Sequence, residues 1–200
     1  MVANSLTMVR FIIAPLFAYV FAHSFRAHNP LAWQYTALAI LGLIELSDAF
    51  DGYCARKLGE VSDFGKLFDP MADSVSRLTV FTGFLISGIL PLWMFLIFLY
   101  RDSIVTVIRY MCLRKGLVVA ARLSGKVKAI MQAAGSFCVL AVCLLHGHGV
   151  RAIPPLILGR HPGYFIMLVP ALFTAYSAFD YWFGNRAVFD GSFTQRKDPS

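Results

Sequence analysis

Charge is what this chain has least of. Only 14% of its 200 residues are Asp, Glu, Lys or Arg, while 58% are hydrophobic; an ordinary soluble domain carries about 25% charged residues. That balance excludes a water-solvated globule and points to a bilayer. Cysteine is scarce too. Cys54, Cys112, Cys138 and Cys143 have neither CxxC nor CxxCH spacing and sit in apolar runs, which argues against zinc or haem and for small buried residues. No basic run is interleaved with aromatics, so nucleic acid is not an expected partner despite a net charge of +7. In a membrane protein such an excess reflects loop orientation and anionic lipid or substrate. No small-residue cleavage site follows the first apolar run, which therefore reads as a retained helix.

Apolar segments of about 20 residues, enough to cross a hydrocarbon core of roughly 30 Å, recur along the chain. Asn4-Ser5-Leu6-Thr7 can cap the first, which passes Pro15 toward His23. A polar stretch, His23 to Pro30, closes on Asn29-Pro30, and the second segment runs from Leu31 to Arg56. The charged connector Lys57 to Asp63 leads into the third, Phe64 to Ile86. Gly88 to Pro91 is short enough only for a turn between antiparallel helices. The fourth spans Leu92 to about Leu113. Arg114 to Lys128 is strongly basic, with Gly116 and Gly125 as breakers, and the fifth continues to about Leu145. After a loop rich in Pro and Gly, Arg151 to Pro162, the sixth covers Tyr164 to Phe183. The expectation is an all-α polytopic membrane protein, a single domain over 1–200 with six transmembrane helices.

Basic residues orient such a bundle. Arg10, Arg56, Lys57, Lys66, Arg114, Lys115, Arg122, Lys126, Lys128, Arg186, Arg196 and Lys197 fall on one side, and Arg26, Arg151 and Arg160 on the other. By the positive-inside rule the richer side is cytoplasmic and holds both termini. Arg77, Arg101 and Arg109 lie within spans. Arg101 and Asp102 point about 100° apart and are expected to pair with other helices. Trp33, Trp93 and Trp182 suit an aromatic belt.

Against this apolar background, Asp48 to Asp73 reads DAFDGYCARKLGEVSDFGKLFDPMAD. At about 100° per residue, Asp48, Asp51, Gly52, Ala55 and Arg56 occupy roughly 140° of one helix, and Gly65, Asp69 and Asp73 recur at i, i+4, i+8 on the next. If the two pack antiparallel, four carboxylates converge. Two unit charges about 4 Å apart repel by roughly 4 kcal/mol at an effective dielectric near 20, so the cluster needs cations. Oxygen-only donors favour Mg²⁺ or Mn²⁺ over Zn²⁺, and two such ions could clamp the oxygens around a phosphorus. Gly52, Ala55 and Gly65 leave room for a diphosphate or planar base to approach backbone, and Arg56 can hold a phosphate bidentately. An ion-binding membrane transporter would also gather carboxylates between helices, but it would not require Gly52, Ala55, Arg56 and Gly65 at these spacings.

The pattern DxxDGxxAR, eight residues, Gly, three residues, Asp, three residues, Asp resembles the signature of the CDP-alcohol phosphotransferase family, and all eight fixed positions match. The resemblance implies a CDP-linked donor, CMP as leaving group, an acceptor hydroxyl that attacks the β-phosphorus, and a homodimer. Asp48, Asp51, Asp69 and Asp73 correspond to its metal-site carboxylates, Asp73 to a general base, and Gly52, Ala55, Arg56 and Gly65 to the border of its CDP site. Asn4 to Arg10, Asp69 to Asp73, Ser124 to Ala129 with Gln132, and Ser177 to Tyr181 are similar to segments of the family's bacterial phosphatidylglycerophosphate synthase branch. That branch implies CDP-diacylglycerol as donor, sn-glycerol 3-phosphate as acceptor, and a site on the cytoplasmic face of the inner membrane. A phosphorylated acceptor needs cations beyond the metals, for which Arg109, Lys126, Arg114, Lys128 and Arg77 are candidates. The branch commonly carries Lys directly after the fourth Asp, whereas this chain has Ser74, which keeps inositol phosphate, serine or another alcohol open as acceptor.

Overall fold

The computed structural model describes the backbone of residues 2–58, 63–114, 123–150 and 153–184, and the side chains of 10–47, 50, 71–112, 123–150 and 153–183. Six α-helices account for nearly all of it: α1 (Val2–Ser24), α2 (Pro30–Leu58), α3 (Asp63–Ile86), α4 (Leu92–Arg114), α5 (Leu123–Gly147) and α6 (Pro162–Gly184). The all-α expectation is met. Among the described residues, Leu123–Gly147 and Pro162–Phe183 are long and apolar enough to cross a membrane, and Arg10–Ser24 is a shorter apolar stretch. Among the described residues of the other helices, the polar Gln34, Ser76, Arg77, Arg101 and Asp102 are buried in the interior.

Several helix ends differ from expectation. The first helix already begins at Val2, so Asn4 to Thr7 lie inside its opening turns and do not cap it. Gly125, expected to break the chain, sits within α5; a Cβ there would come 3.5 Å from Arg101 Nη2, so its small size brings α5 against a buried guanidinium. The sixth helix starts two residues early. Its cap is His161, whose Nδ1 accepts the Gly163 N–H at 3.0 Å ahead of a Pro in the first helical position. That bond requires an unprotonated Nδ1. Burial, and secondarily the neighbouring His146, push the His161 pKa below the ordinary histidine value. The turn after α3 forms as read: Gly88 takes φ +72, and the N–H groups of Ile89 and Leu90 both reach back to the Phe84 carbonyl.

Helix contacts close a ring. α1 packs on α2 and α3, α3 on α4, α4 on α6, α6 on α5, and α5 on α2. The last turn of α5 meets the start of α2, where a Cβ on Gly147 would collide with Leu31, so these two run antiparallel. α1 and α3 run parallel, so close at Gly83 that a Cβ would sit 3.0 Å from Ala18 Cα. Inside the ring the two halves differ. One half is aromatic: Phe84 lies edge-on to Phe17 and Phe21 at 6.0 and 5.0 Å between centroids, and Phe81 leans on Phe98 at 4.6 Å. The other half buries Arg10, Ser76, Arg77, Arg101, Asp102, Lys128, Gln132, Ser136, Thr174 and Ser177.

Candidate active site

The signature lies where α2 and α3 enter the polar half. Asp48, Asp51, Gly52, Ala55 and Arg56 are on the helical backbone of α2, and Gly65, Asp69 and Asp73 on that of α3, so the angular argument for two faces applies to both segments. The side chains at 48, 51, 52, 55, 56, 65, 69 and 114 lie outside the described residues. Asp73 is the signature carboxylate whose surroundings are described.

Asp73 is held from its own helix and faces a cleft. Arg77, one turn on, donates from Nη2 to Asp73 Oδ1 at 2.8 Å, and from Nη1 to the Ala129 carbonyl of α5 at 2.9 Å. Arg77 is 8% exposed. Its guanidinium therefore spans the bundle interior and fixes one carboxylate oxygen of Asp73, leaving it less free to contact an incoming anion. The cleft beside Asp73 is lined by Arg10, Ile44, Glu45, Ser76, Arg77, Val80 and Ser136. The charge pattern counts Arg10 and Lys128 among the cations that orient the loops. Both are buried instead, Arg10 at 2% and Lys128 at 5% exposure, because each lies inside a helix on its interior face.

Across the interior, α4, α5 and α6 supply a second cluster. The Lys128 ammonium donates to Asp102 Oδ1 at 2.7 Å, and Arg101 Nη1 donates to the same oxygen at 3.0 Å. Arg101 Nη2 continues to Ser177 Oγ at 2.9 Å. Arg101 and Asp102 thus reach other helices as expected, and they also bridge each other. Two cations share one anion, which leaves this cluster with an excess positive charge. On α5, Ser124, Lys128, Gln132 and Ser136 follow one another at i, i+4 spacing on the interior face. Ser124 donates to Asp180 Oδ2 at 2.6 Å, Gln132 Nε2 to Thr174 Oγ1 at 3.0 Å, and Ser136 to the Gln132 carbonyl at 2.9 Å. Of these four the sequence gives a contact role to Lys128 alone, with Ser124 and Gln132 entering only through the segment resemblance; the signal that finds the whole set is a polar stripe on an apolar helix.

The acceptor-side candidates separate by helix phase. Lys126 is exposed and, two residues from Lys128, points about 200° away from it, so it is not brought to the cluster. Arg109 is half-buried and lies seven residues beyond Asp102, on the same stripe of α4. Among the described residues no group of three or more His, Cys, Asp and Glu is arranged to hold a metal. Asp73 nonetheless supplies the hard oxygen donor that suits a divalent cation, and the helical phase of Asp48, Asp51 and Asp69 allows more of the same.

Comparison with known proteins completes the description. A family model for CDP-alcohol phosphatidyltransferases matches residues 1–176. Over 131 residues the chain is 34% identical to a probable phosphatidylglycerophosphate synthase of Mycobacterium tuberculosis, covering 66% of this chain and 61% of that protein. It is 31% identical over 180 residues to a CDP-diacylglycerol–glycerol-3-phosphate 3-phosphatidyltransferase of Rickettsia felis, covering 90% and 92%. A cardiolipin synthase (CMP-forming) of Streptomyces coelicolor is 35% identical over 107 residues, covering 53% and 48%. The chain spans less than two thirds of the mycobacterial and streptomycete relatives. With the match running through both signature helices and most of the bundle, the chain belongs to the CDP-alcohol phosphatidyltransferase family.

Proposed function

We propose that this protein transfers the phosphatidyl group of CDP-diacylglycerol to sn-glycerol 3-phosphate, giving phosphatidylglycerophosphate and CMP. The observation that carries the reading is Asp73, at the end of the signature stripe, fixed by Arg77 beside a cleft in the polar half of an otherwise apolar bundle. Carboxylates in such surroundings are functional by default, because each is costly there.

In this reading Gly52, Ala55, Arg56 and Gly65 border the CDP moiety, with Arg56 on its phosphates. Asp48, Asp51, Asp69 and Asp73 would hold two Mg²⁺ or Mn²⁺ ions, which supply charge neutralisation around the diphosphate when bound. Asp73 takes the proton of the acceptor hydroxyl. The acceptor oxygen then bonds to the β-phosphorus, and the bond to CMP breaks with its electron pair leaving on CMP. Arg109, Arg114 and Lys128 set the positive field for the acceptor phosphate. Lys126 is assigned to the rim, and Arg77 to orienting Asp73. The chain is read as one integral-membrane domain over 1–200, with six spans, both termini and the site on the cytoplasmic side of a bacterial inner membrane, and as a homodimer.

A second acceptor is kept open by Ser74, since the resemblance implies a Lys directly after the last signature Asp in the glycerophosphate-using branch, and the streptomycete relative is named for a different lipid product. The test is release of CMP from CDP-diacylglycerol by the purified chain with Mg²⁺ or Mn²⁺ and a panel of alcohols. Release with glycerol 3-phosphate well above that with inositol phosphate, serine or phosphatidylglycerol is expected. Equal or better turnover with one of the others would reassign the acceptor. No release with any of them would leave the ion-binding transporter.

A further inference from the structure

Asp102 is an anion buried at 4% exposure in the middle of α4, far along the chain from the signature. Its Oδ1 receives two cations, Lys128 of α5 at 2.7 Å and its neighbour Arg101 at 3.0 Å. An isolated buried carboxylate would be strongly disfavoured, and one shared by two ammonium or guanidinium groups is stable only while both stay in place. The constraint works in both directions. Lys128 has a long flexible stem, and without Asp102 its ammonium would swing to find water or another acceptor. The next residue along α5, Ala129, receives Arg77, which in turn holds Asp73. Lys128 is therefore the point at which the α4 cluster is joined, through one peptide unit, to the carboxylate side of the site.

We infer that Asp102 is a positioning residue for the acceptor side: it holds the Lys128 ammonium at a set place on the interior face of α5, and thereby sets where the acceptor's phosphate binds relative to Asp73. This rests on the proposed phosphatidyl transfer. Asp102 does not touch the substrate in this role; it acts through Lys128. The shared oxygen leaves Lys128 and Arg101 with one more positive charge than Asp102 neutralises, which suits an anionic group.

The chain in detergent with Mg²⁺ tests this by CMP release, titrating glycerol 3-phosphate and CDP-diacylglycerol separately. Asp102→Asn should raise the acceptor KM roughly tenfold or more while the donor KM stays within about twofold, and Asp102→Glu should recover part of the loss. Because a lone buried Lys can impair folding, Asp102→Asn combined with Lys128→Met removes both charges together. If Asp102 acts through Lys128, that double variant should match Lys128→Met in acceptor KM, a non-additive result. A folded Asp102→Asn whose acceptor KM is unchanged, or whose two KM values rise equally, overturns the inference. So does a double variant with the wild-type acceptor KM. Absence of CMP release by the wild-type chain overturns the phosphatidyl-transfer reading itself, and is told apart by needing no variant.

Discussion

Near one end of the bundle Phe84 of α3 meets Phe17 and Phe21 of α1 edge to face, and in the other half Arg77 of α3, Arg101 and Asp102 of α4 and Lys128 of α5 cross the interior as hydrogen-bonded charges. The first set makes many weak contacts with loose angular demands. The second makes few, each with a defined donor and acceptor, and each charge left without its partner would be heavily penalised. Aromatic packing thus fixes that the helices associate, while the polar links fix how far each is rotated and advanced. The division separates stability from chemistry along one axis of the molecule.

The largest expected effect lies at the polar end. Asp73→Asn should lower turnover by about 10²–10⁴-fold, the range for losing a general base, alongside a fall in thermal midpoint from leaving Arg77 without its charged partner. Turnover within tenfold of wild type would erase the division by showing that the polar half is only structural. Phe84→Ala should act on stability alone: a loss of about 3 kcal/mol, the low end for a buried Phe because lipid rather than water is the alternative surround, with turnover per folded molecule preserved. A Phe84→Ala chain that is stable yet inactive would mean that the aromatic half shapes the site.

The smallest effect concerns the α6 cap. The His161 pKa is held below that of the unfolded chain by burial and then by His146, so the unfolded state takes up the proton first as the pH falls. Stability contributed by the neutral cap is complete above the unfolded value, about 6.5, and declines as pH drops below it toward the folded value. Protonated Nδ1 cannot accept the Gly163 N–H, and a cation is unfavourable at a helix N-terminus. Thermal midpoints measured between about pH 8 and pH 5 should fall on the acid side, and His161→Asn, which keeps a capping acceptor without titrating, should flatten that part of the curve. An unchanged slope in His161→Asn would assign the acid loss to the polar half instead.

Much of this was legible beforehand, and the reasons are uneven. Helices α3 and α4 and the turn between them follow from an apolar run, Gly88 and Pro91, all local signals. Asp73 and Arg77 follow from i, i+4 spacing, because a helix brings such residues together whatever surrounds it. The Ala129 carbonyl could not be foreseen as the other end of Arg77, since any backbone oxygen at that depth reads alike. The same phase rule that aligned Asp69 with Asp73 also aligns Ser124, Lys128, Gln132 and Ser136, yet their meaning depends on Asp180, Asp102 and Thr174 on other helices. Lys126 and Lys128 look equivalent in a basic stretch and are separated only by the helix that carries them. The first helix starts at Val2 because nothing in Asn4 to Thr7 forbids helix, and a capping residue is only an invitation to begin one.

The two interior links onto α5 have one more consequence. Lys128 is tied to α4 and the Ala129 carbonyl to α3, so two consecutive residues of one helix are pinned from two different neighbours. Sliding α5 along its axis by even one residue, about 1.5 Å, would stretch both ties at once, and rotating it would trade one against the other. α5 therefore behaves as the molecule's ruler: the distance between Asp73 on α3 and the Arg101–Asp102 pair on α4 is measured out by helix rise and phase, and loop lengths can vary without changing it.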